Sequence, residues 1–184
     1  MKLFNGISPN GARVAIFLAE KGIEIPVQPI DLMAGEARTE AFRKINSLGQ
    51  VPVLQLDDGR HLAESIAICR YLEQLHPKPA LFGGTPVEKA FVEMWIRRME
   101  LRLFNTVGDV GLHEFEFFKD HVEQNADYAA AQRRQFFERL KWLEEELADG
   151  RPFVTGETFS MADIVGMTML LIMGYAGIAL PADL

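Results

Sequence analysis

At 184 residues, 48% hydrophobic and 24% charged, the chain is long enough for one large domain or two small ones, and its composition is that of an ordinary globular protein. A formal net charge of -7 and a pI near 5.1, with no block of Lys or Arg, argue against a nucleic acid or an anionic membrane as partner. One cysteine, Cys69, excludes an internal disulfide framework and fits a reducing compartment, and Met1-Lys2-Leu3-Phe4 is too short an apolar run for a signal peptide, so the chain reads as soluble and cytoplasmic.

Lys2 to Asn5 reads as a short strand. Gly6 to Asn10 is a turn feeding a helix, because Ser8 at the N-cap with Pro9 at the first helical position is a strong start signal. Ala12, Val14, Ala15, Phe17 and Leu18 recur at helical spacing until Lys21-Gly22 ends the run. Ile25, Val27 and Ile30 alternate around Pro26 and Pro29, which predicts an edge strand, since proline lacks the N–H an interior strand donates. Asp31 to Arg38 is a polar loop, and Thr39 caps a short helix through Ile45. Val51-Pro52 then precedes the alternating Val53-Leu54-Gln55-Leu56, and Asp57-Asp58-Gly59 is a hairpin signal pairing that strand antiparallel with His61 to Ala63. Glu64-Ser65 opens a helix continued by Ile66, Ile68, Cys69, Tyr71, Leu72 and Leu75, with Cys69 as a small core residue. This order predicts an α/β layer with a four-stranded mixed sheet over residues 1–75.

His76-Pro77-Lys78-Pro79 through Gly83-Gly84-Thr85-Pro86 breaks any helix repeatedly and marks a linker over 76–86. From 87 to 184 the pattern is all helical. Ala90, Phe91, Met94, Trp95, Leu101 and Phe104 trace one long apolar face interrupted near Gly108 and Gly111, and Tyr128 to Leu147 traces another. Ser160-Met161-Ala162-Asp163 is a capping box opening a buried apolar helix from Ile164 to Leu180.

Two features between Leu48 and Ser65 point to a ligand. The residue before a proline is held extended, and a cis Val51-Pro52 bond would turn the Val51 N–H and C=O away from the sheet, leaving a main-chain edge for a short peptide. The free N–H groups and positive dipole end at Ser65 make a seat for a carboxylate. On these residues alone, a hairpin followed by an N-cap with no ligand accounts for the pattern equally well. None of His61, His76, His113 and His121 pairs at the i, i+4 spacing of a helical metal site, and no G-x-S-x-G elbow or phosphate-binding glycine loop occurs, so no metal is expected. The Ser8 hydroxyl has two uses that compete for it: a helix cap worth about 1 kcal/mol, or a hydrogen bond to a ligand, with the Asn10 amide beside it. Spacing alone favours the cap.

Ser8-Pro9-Asn10-Gly11-Ala12-Arg13-Val14, Gly35-Glu36-Ala37-Arg38, Asn46-Ser47-Leu48-Gly49-Gln50-Val51-Pro52-Val53-Leu54, Glu64-Ser65 with Ile68 and Arg70-Tyr71-Leu72, and Ser160-Met161-Ala162-Asp163 together resemble, in order and spacing, the cytosolic glutathione S-transferase family. The likeness is to serine-type, bacterial-like members related to the phi, nu and theta classes, and it covers nearly the whole chain. It implies a thioredoxin-like glutathione-binding domain over 1–75, an all-α domain over 87–184 lining a second-substrate site, and a homodimer. By this resemblance Val51, followed by Pro52, pairs its main chain with the cysteinyl part of glutathione. Glu64 and Ser65 hold the γ-glutamyl end, Gln50 reaches toward it, and Arg38 reaches toward the glycine end. Ser8, with Asn10 beside it, takes the position of the catalytic hydroxyl that hydrogen-bonds the glutathione thiolate.

The implied function is conjugation of glutathione, as co-substrate and without a metal, to small apolar electrophiles, with glutathione peroxidase activity alongside. The alternative is a non-catalytic glutathione-binding or regulatory protein of the same fold. No Cys or Tyr lies near Ser8, which disfavours thiol–disulfide exchange, and Ser8-Pro9-Asn10 departs from the Ser-Ser-Cys pattern of glutathione-dependent isomerases. Three further departures matter. Ala37-Arg38 stands where related members read His-Lys, so one contact to the glycine end is expected to be missing. Ser47 replaces a common proline. The chain stops at Leu184, where the family usually continues into a final helix, so an open second-substrate site or an incomplete sequence is expected. Phe104, Phe115 and Phe117 are candidates for lining that site, and each also fits a core or interface role.

Overall fold

The computed structural model describes residues 1–180, which form two compact units, Met1–Leu81 and a second beginning at Phe82. In the first unit the order is β1 (Lys2–Asn5), α1 (Pro9–Lys21), β2 (Val27–Pro29), α2 (Glu40–Arg43), β3 (Val53–Gln55), β4 (His61–Ala63) and α3 (Ser65–Leu75). The sheet runs β2-β1-β3-β4, with β1 parallel to β2 and the other pairs antiparallel. The parallel pair needs a crossover, which α1 supplies. Pro29 sits where it was expected, on an edge strand that donates little.

Register decides which side chains share a face. Phe4 lies opposite Val53 and Leu3 opposite Leu54, so successive residues point to opposite sides of the sheet. The Phe4 and Val53 side packs with Ile30, Ala37, Phe42 and Val51. Val14, Phe17, Ile68, Cys69 and Leu72 of α1 and α3 are fully buried with Leu3 and Leu54. The stretch read as a loop before α2 contains a turn of 3-10 helix, Glu36–Arg38, and α2 is shorter than the sequence predicted because Lys44 and Ile45 close it with mixed backbone bonds to Glu40 and Phe42. Thr39 caps it as predicted, its Oγ1 accepting from the Phe42 N–H at 3.2 Å.

Two polar rungs join α1 to α3. At one end Arg13 Nη1 donates to Ser65 Oγ at 3.0 Å. Eight residues further along both helices, roughly 12 Å at 1.5 Å per residue, Lys21 pairs with Glu73; both side chains are buried. Lys21 Nζ also donates to the carbonyls of His76, at 2.7 Å, and Pro79. The ammonium therefore satisfies the chain as it leaves α3, where no helical partner remains for those carbonyls.

The second unit contains α4 (Pro86–Arg97), α5 (Asn105–Glu114), α6 (Ala126–Leu147) and α7 (Met161–Tyr175). The long apolar face is interrupted at Arg98–Phe104, where the winding widens to a π-helix, and Gly108 and Gly111 lie inside α5. A helical glycine costs about 1 kcal/mol without stopping the helix. The widening coincides with side chains entering the ladder: the Arg102 carbonyl accepts from Thr106 Oγ1 at 2.8 Å and from Arg139 Nη1 at 2.6 Å. The predicted capping box of Ser160 with Asp163 is realised, and a second one, Thr85 with Glu88, closes the start of α4 within the stretch read as linker. α7 ends at Tyr175, short of the predicted Leu180, because Gly177 turns left-handed with φ 58 and Ile178 bonds back to Met173. It is buried on one side only; Met167, Leu170, Leu171 and Tyr175 are exposed. The end of the predicted helical domain, 181–184, lies outside the described residues. Among the described residues no helix is long and apolar enough to cross a membrane.

Replacing Lys21 by Met takes the ammonium away from the buried Glu73 carboxylate and from two carbonyls, so Lys21→Met is expected to lose about 3 kcal/mol in urea denaturation. Lys21→Met with Glu73→Met should recover only part of this, because His76 and Pro79 still lack a donor. A Lys21→Met protein as stable as the parent would show that the clamp is unimportant.

Candidate functional site

The site is built from three corners of the first unit. The first is the β1–α1 turn. Asn5 ties it together, its Oδ1 accepting from the Gly6 N–H at 3.0 Å and its Nδ2 donating to the Gly11 carbonyl at 3.2 Å. Ser8 is the N-cap of α1, with Oγ accepting from the Gly11 N–H at 3.0 Å. That bond uses a lone pair. The hydroxyl proton is not consumed by it, so the capping and ligand-donor roles do not compete, contrary to the expectation from sequence. An N–H aimed at the oxygen also polarises the O–H and strengthens it as a donor.

The second corner is the approach to β3. Asn46 Nδ2 donates to the Gln50 carbonyl at 2.8 Å, and its Oδ1 accepts from Leu48 N–H at 3.2 Å. Gly49 is left-handed, with φ 63, and a Cβ there would meet the Ala37 carbonyl oxygen at 2.8 Å. The Val51-Pro52 peptide is cis. Val51 lies outside β3, and among the described residues neither its N–H nor its C=O enters a loop, turn or capping hydrogen bond.

The third corner is the β4–α3 junction. Glu64 has φ 67 and ψ 115, the one non-glycine residue with positive φ among those described. Such a conformation costs of order 1–3 kcal/mol and persists only where flanking structure over-determines it. Here β4 ends at Ala63, α3 begins at Ser65, and the Glu64 carbonyl accepts from Ile68 N–H at 2.9 Å. Ser65 is buried at the first position of α3, its oxygen already accepting from Arg13. Its proton is available to a ligand on the helix N-terminus, where backbone N–H groups and the dipole favour an anion.

Asn10, Gln50, Val51, Pro52, Glu64 and Ser65, predicted from scattered motifs, line one shallow recess together with Asn46. Ser8 and Arg38 do not line it. Ser8 stands two residues before Asn10, and Arg38 ends the exposed 3-10 turn. The Ala37 side chain is 3% exposed and packs into the core, so this position serves packing here. Sequence reasoning did not single out Asn46, Asn5 or Arg13. An Asn-Ser-Leu-Gly run is a turn signal that points to Asn46, whereas nothing local distinguishes Arg13 from a surface arginine. The Cys69 thiol is buried and pushed upward by that burial, which leaves it inert as a nucleophile. Among the described residues no cluster of His, Cys, Asp or Glu is arranged to hold a metal ion.

The sheet order, the cis-proline entry to β3 and the following helical unit define a thioredoxin-like domain joined to an all-α domain. Residues 7–75 match the glutathione S-transferase N-terminal domain and residues 120–170 the glutathione S-transferase C-terminal domain. Glutathione S-transferase 2 of Saccharomyces cerevisiae is 36% identical over 179 residues, covering 95% of this chain and 76% of that protein. A maleylacetoacetate isomerase of Pseudomonas aeruginosa is 41% identical over 93 residues, 49% of this chain and 44% of that protein. Among solved structures, a glutathione S-transferase domain-containing protein of Marinobacter aquaeolei superposes with TM-score 0.92 at 35% identity, covering 99% of this chain and 91% of that one. Yeast Gtt2 gives 0.91 at 32%, covering 100% and 90%. The chain belongs to the glutathione S-transferase family.

A Cβ on Gly11 would lie 2.3 Å from Asn5 Oδ1, 2.5 Å from the Gly6 carbonyl and 3.0 Å from Ser8 Oγ. Gly11→Ala is therefore expected to destabilise the protein by about 2–3 kcal/mol, the cost of overpacking, read as a lowered denaturation midpoint. An unchanged midpoint would mean that the turn relaxes freely.

Proposed function

We propose that this chain is a glutathione transferase that joins the glutathione thiolate to small apolar electrophiles and reduces organic hydroperoxides at the same site, acting as a cytoplasmic homodimer. The observation that carries this reading is the convergence of six predicted residues on one recess, with a main-chain edge at Val51 on one side and the α3 N-terminus on the other. A tripeptide with a carboxylate beside a peptide group matches those two features. Val51 pairs with the cysteinyl main chain as a strand edge pairs with a peptide. Glu64 and Ser65 take the γ-glutamyl end, aided by Gln50, and Arg38 takes the glycine carboxylate.

Ser8 then supports the thiolate. Lowering a thiol from about 8.5 by two pKa units requires about 2.7 kcal/mol. A hydrogen bond to a charged group supplies about 1.5–3 kcal/mol and the helix N-terminus about 0.3–1 more. Ser8 and α1 suffice together, with Asn10 as a second donor. The thiolate attacks the electrophilic carbon, a new C–S bond forms, and the leaving group departs with its electron pair; the site contributes chiefly proximity. Identity to the Pseudomonas isomerase favours a second reading, glutathione-dependent isomerisation. Pro9 and Asn10 stand against it, since they replace the Ser-Cys that follows the first serine of that pattern.

Ser8→Ala is expected to lower kcat/KM for an aryl halide about 10- to 100-fold near neutral pH. Because the variant's bound thiol ionises at higher pH, the deficit should shrink as pH rises past about 8.5, where thiolate forms unaided. Ultraviolet thiolate absorbance of the bound glutathione reads the same shift directly. Ser8→Asp keeps the helix cap but places a negative charge at the thiolate, so it should keep stability and lose turnover. Ser8→Ala with the parent's pH profile would remove Ser8 from the mechanism. Tight glutathione binding with no turnover on aryl halides or hydroperoxides would establish the non-catalytic alternative.

A further inference from the structure

Asn46 uses both ends of its side chain and both of its backbone groups on the loop that leads into β3. Its N–H donates to the Phe42 carbonyl at 2.9 Å as α2 closes, and its carbonyl accepts from the Gly49 N–H at 2.8 Å. Its Oδ1 accepts from the Leu48 N–H at 3.2 Å, and its Nδ2 donates to the Gln50 carbonyl at 2.8 Å. The amide has only this orientation, because the Leu48 N–H can only donate and the Gln50 carbonyl can only accept.

The Gln50 carbonyl belongs to the same peptide group as the Val51 N–H. That peptide is trans, since the cis bonds among the described residues are Val51-Pro52 and Lys78-Pro79. In a planar trans peptide the C=O and the N–H point in opposite directions. Holding the oxygen therefore fixes the hydrogen: the Val51 N–H is aimed away from the Asn46 amide, and among the described residues no loop, turn or capping hydrogen bond takes it. Gln50 is exposed, so little packing opposes rotation of this peptide plane, and the bond from Asn46 is what such a rotation would break. A donor on the carbonyl also polarises the peptide and strengthens its N–H. Asn46, Gln50 and Val51 all line the recess.

We propose that Asn46 is a positioning residue that acts through the Gln50 carbonyl to aim and polarise the Val51 N–H as a donor to the cysteinyl carbonyl of glutathione. The inference rests on the main-chain edge proposed above for Val51 and adds the residue that sets its direction. The Ser8 hydroxyl is untouched, so the effect falls on glutathione binding and not on the thiolate.

Asn46→Asp has the same shape, keeps the bond from Leu48 and sets a carboxylate oxygen against the Gln50 carbonyl, which releases the peptide. It should raise KM for glutathione about tenfold, the equivalent of 1.4 kcal/mol, with a much smaller change in kcat at saturating glutathione. Amide hydrogen exchange followed by NMR reads the donor itself. Saturation with glutathione should slow exchange of the Val51 amide in the parent, and at equal saturation should barely slow it in Asn46→Asp. A second ligand, glutathione with glycolate in place of glycine, carries an ester carbonyl that accepts more weakly than an amide. The parent should prefer glutathione to this ester in calorimetric binding, and Asn46→Asp should lose most of that preference. Asn46→Ser keeps an oxygen able to accept from Leu48 two residues on but has no amide to reach Gln50; it covers the case in which Asn46→Asp does not fold, and should behave alike. Parent-like protection of Val51 in these variants, or equal weakening of both ligands by them, overturns the inference. A parent that binds glutathione without slowing the Val51 amide, or that binds both ligands equally, overturns the Val51 edge and the inference with it.

Discussion

The contact between α1 and α3 is the constraint on which the first unit depends. Both helices follow directly from site loops, α1 from the turn holding Ser8 and α3 from the strained corner at Glu64. Apolar packing of Phe17, Cys69 and Leu72 holds them together but is non-directional. The rungs at Arg13–Ser65 and Lys21–Glu73, eight residues apart on both helices, fix the register. Buried ion pairs are weak contributors to net stability. Their effect here is to allow one alignment, because a shift along the axis would strand three buried charges.

That alignment is what brings separate segments to one place. Asn10 follows from the start of α1, Glu64 and Ser65 from the start of α3, and Asn46, Gln50 and Val51 from a loop ordered by its own asparagine. Each corner spends local freedom to hold its shape: Gly11 leaves no room for a Cβ, Gly49 adopts a positive φ against the Ala37 carbonyl, and Glu64 adopts one without being glycine. Strain of this kind persists where surrounding structure imposes it, and here it gathers around the recess.

The electrostatics run against the composition. A chain of net charge -7 repels anions at long range, yet the recess faces a helix N-terminus backed by a buried guanidinium. Exposed carboxylates act through water and salt, which screen them over about 8–10 Å. The buried cation acts at short range through protein. The charge that a ligand in the recess would meet is thus set locally, and net charge bears on solubility and encounter more than on the recess.

Much of this was written in the local sequence. Ser8-Pro9, Thr39 and Ser160 with Asp163 announced helix starts because capping is a contact between near neighbours. The hairpin at Asp57-Asp58-Gly59 and the edge strand at Pro29 followed from turn and proline chemistry in the same way. The resemblance of the motifs named the family, and the candidate residues came with it. Other features depend on partners far along the chain. The π-helical stretch at Arg98–Phe104 coincides with a bond from Arg139 to the Arg102 carbonyl, and no window around Gly108 contains Arg139. The compatibility of Ser8's cap with a donor role follows from the Gly11 N–H meeting a lone pair of the hydroxyl and leaving its proton. Arg13 reads as one more polar residue of an amphipathic helix until Ser65, 52 positions later, is placed against it. Burial and long-range pairing are properties of the folded chain, so only the tertiary structure could assign them.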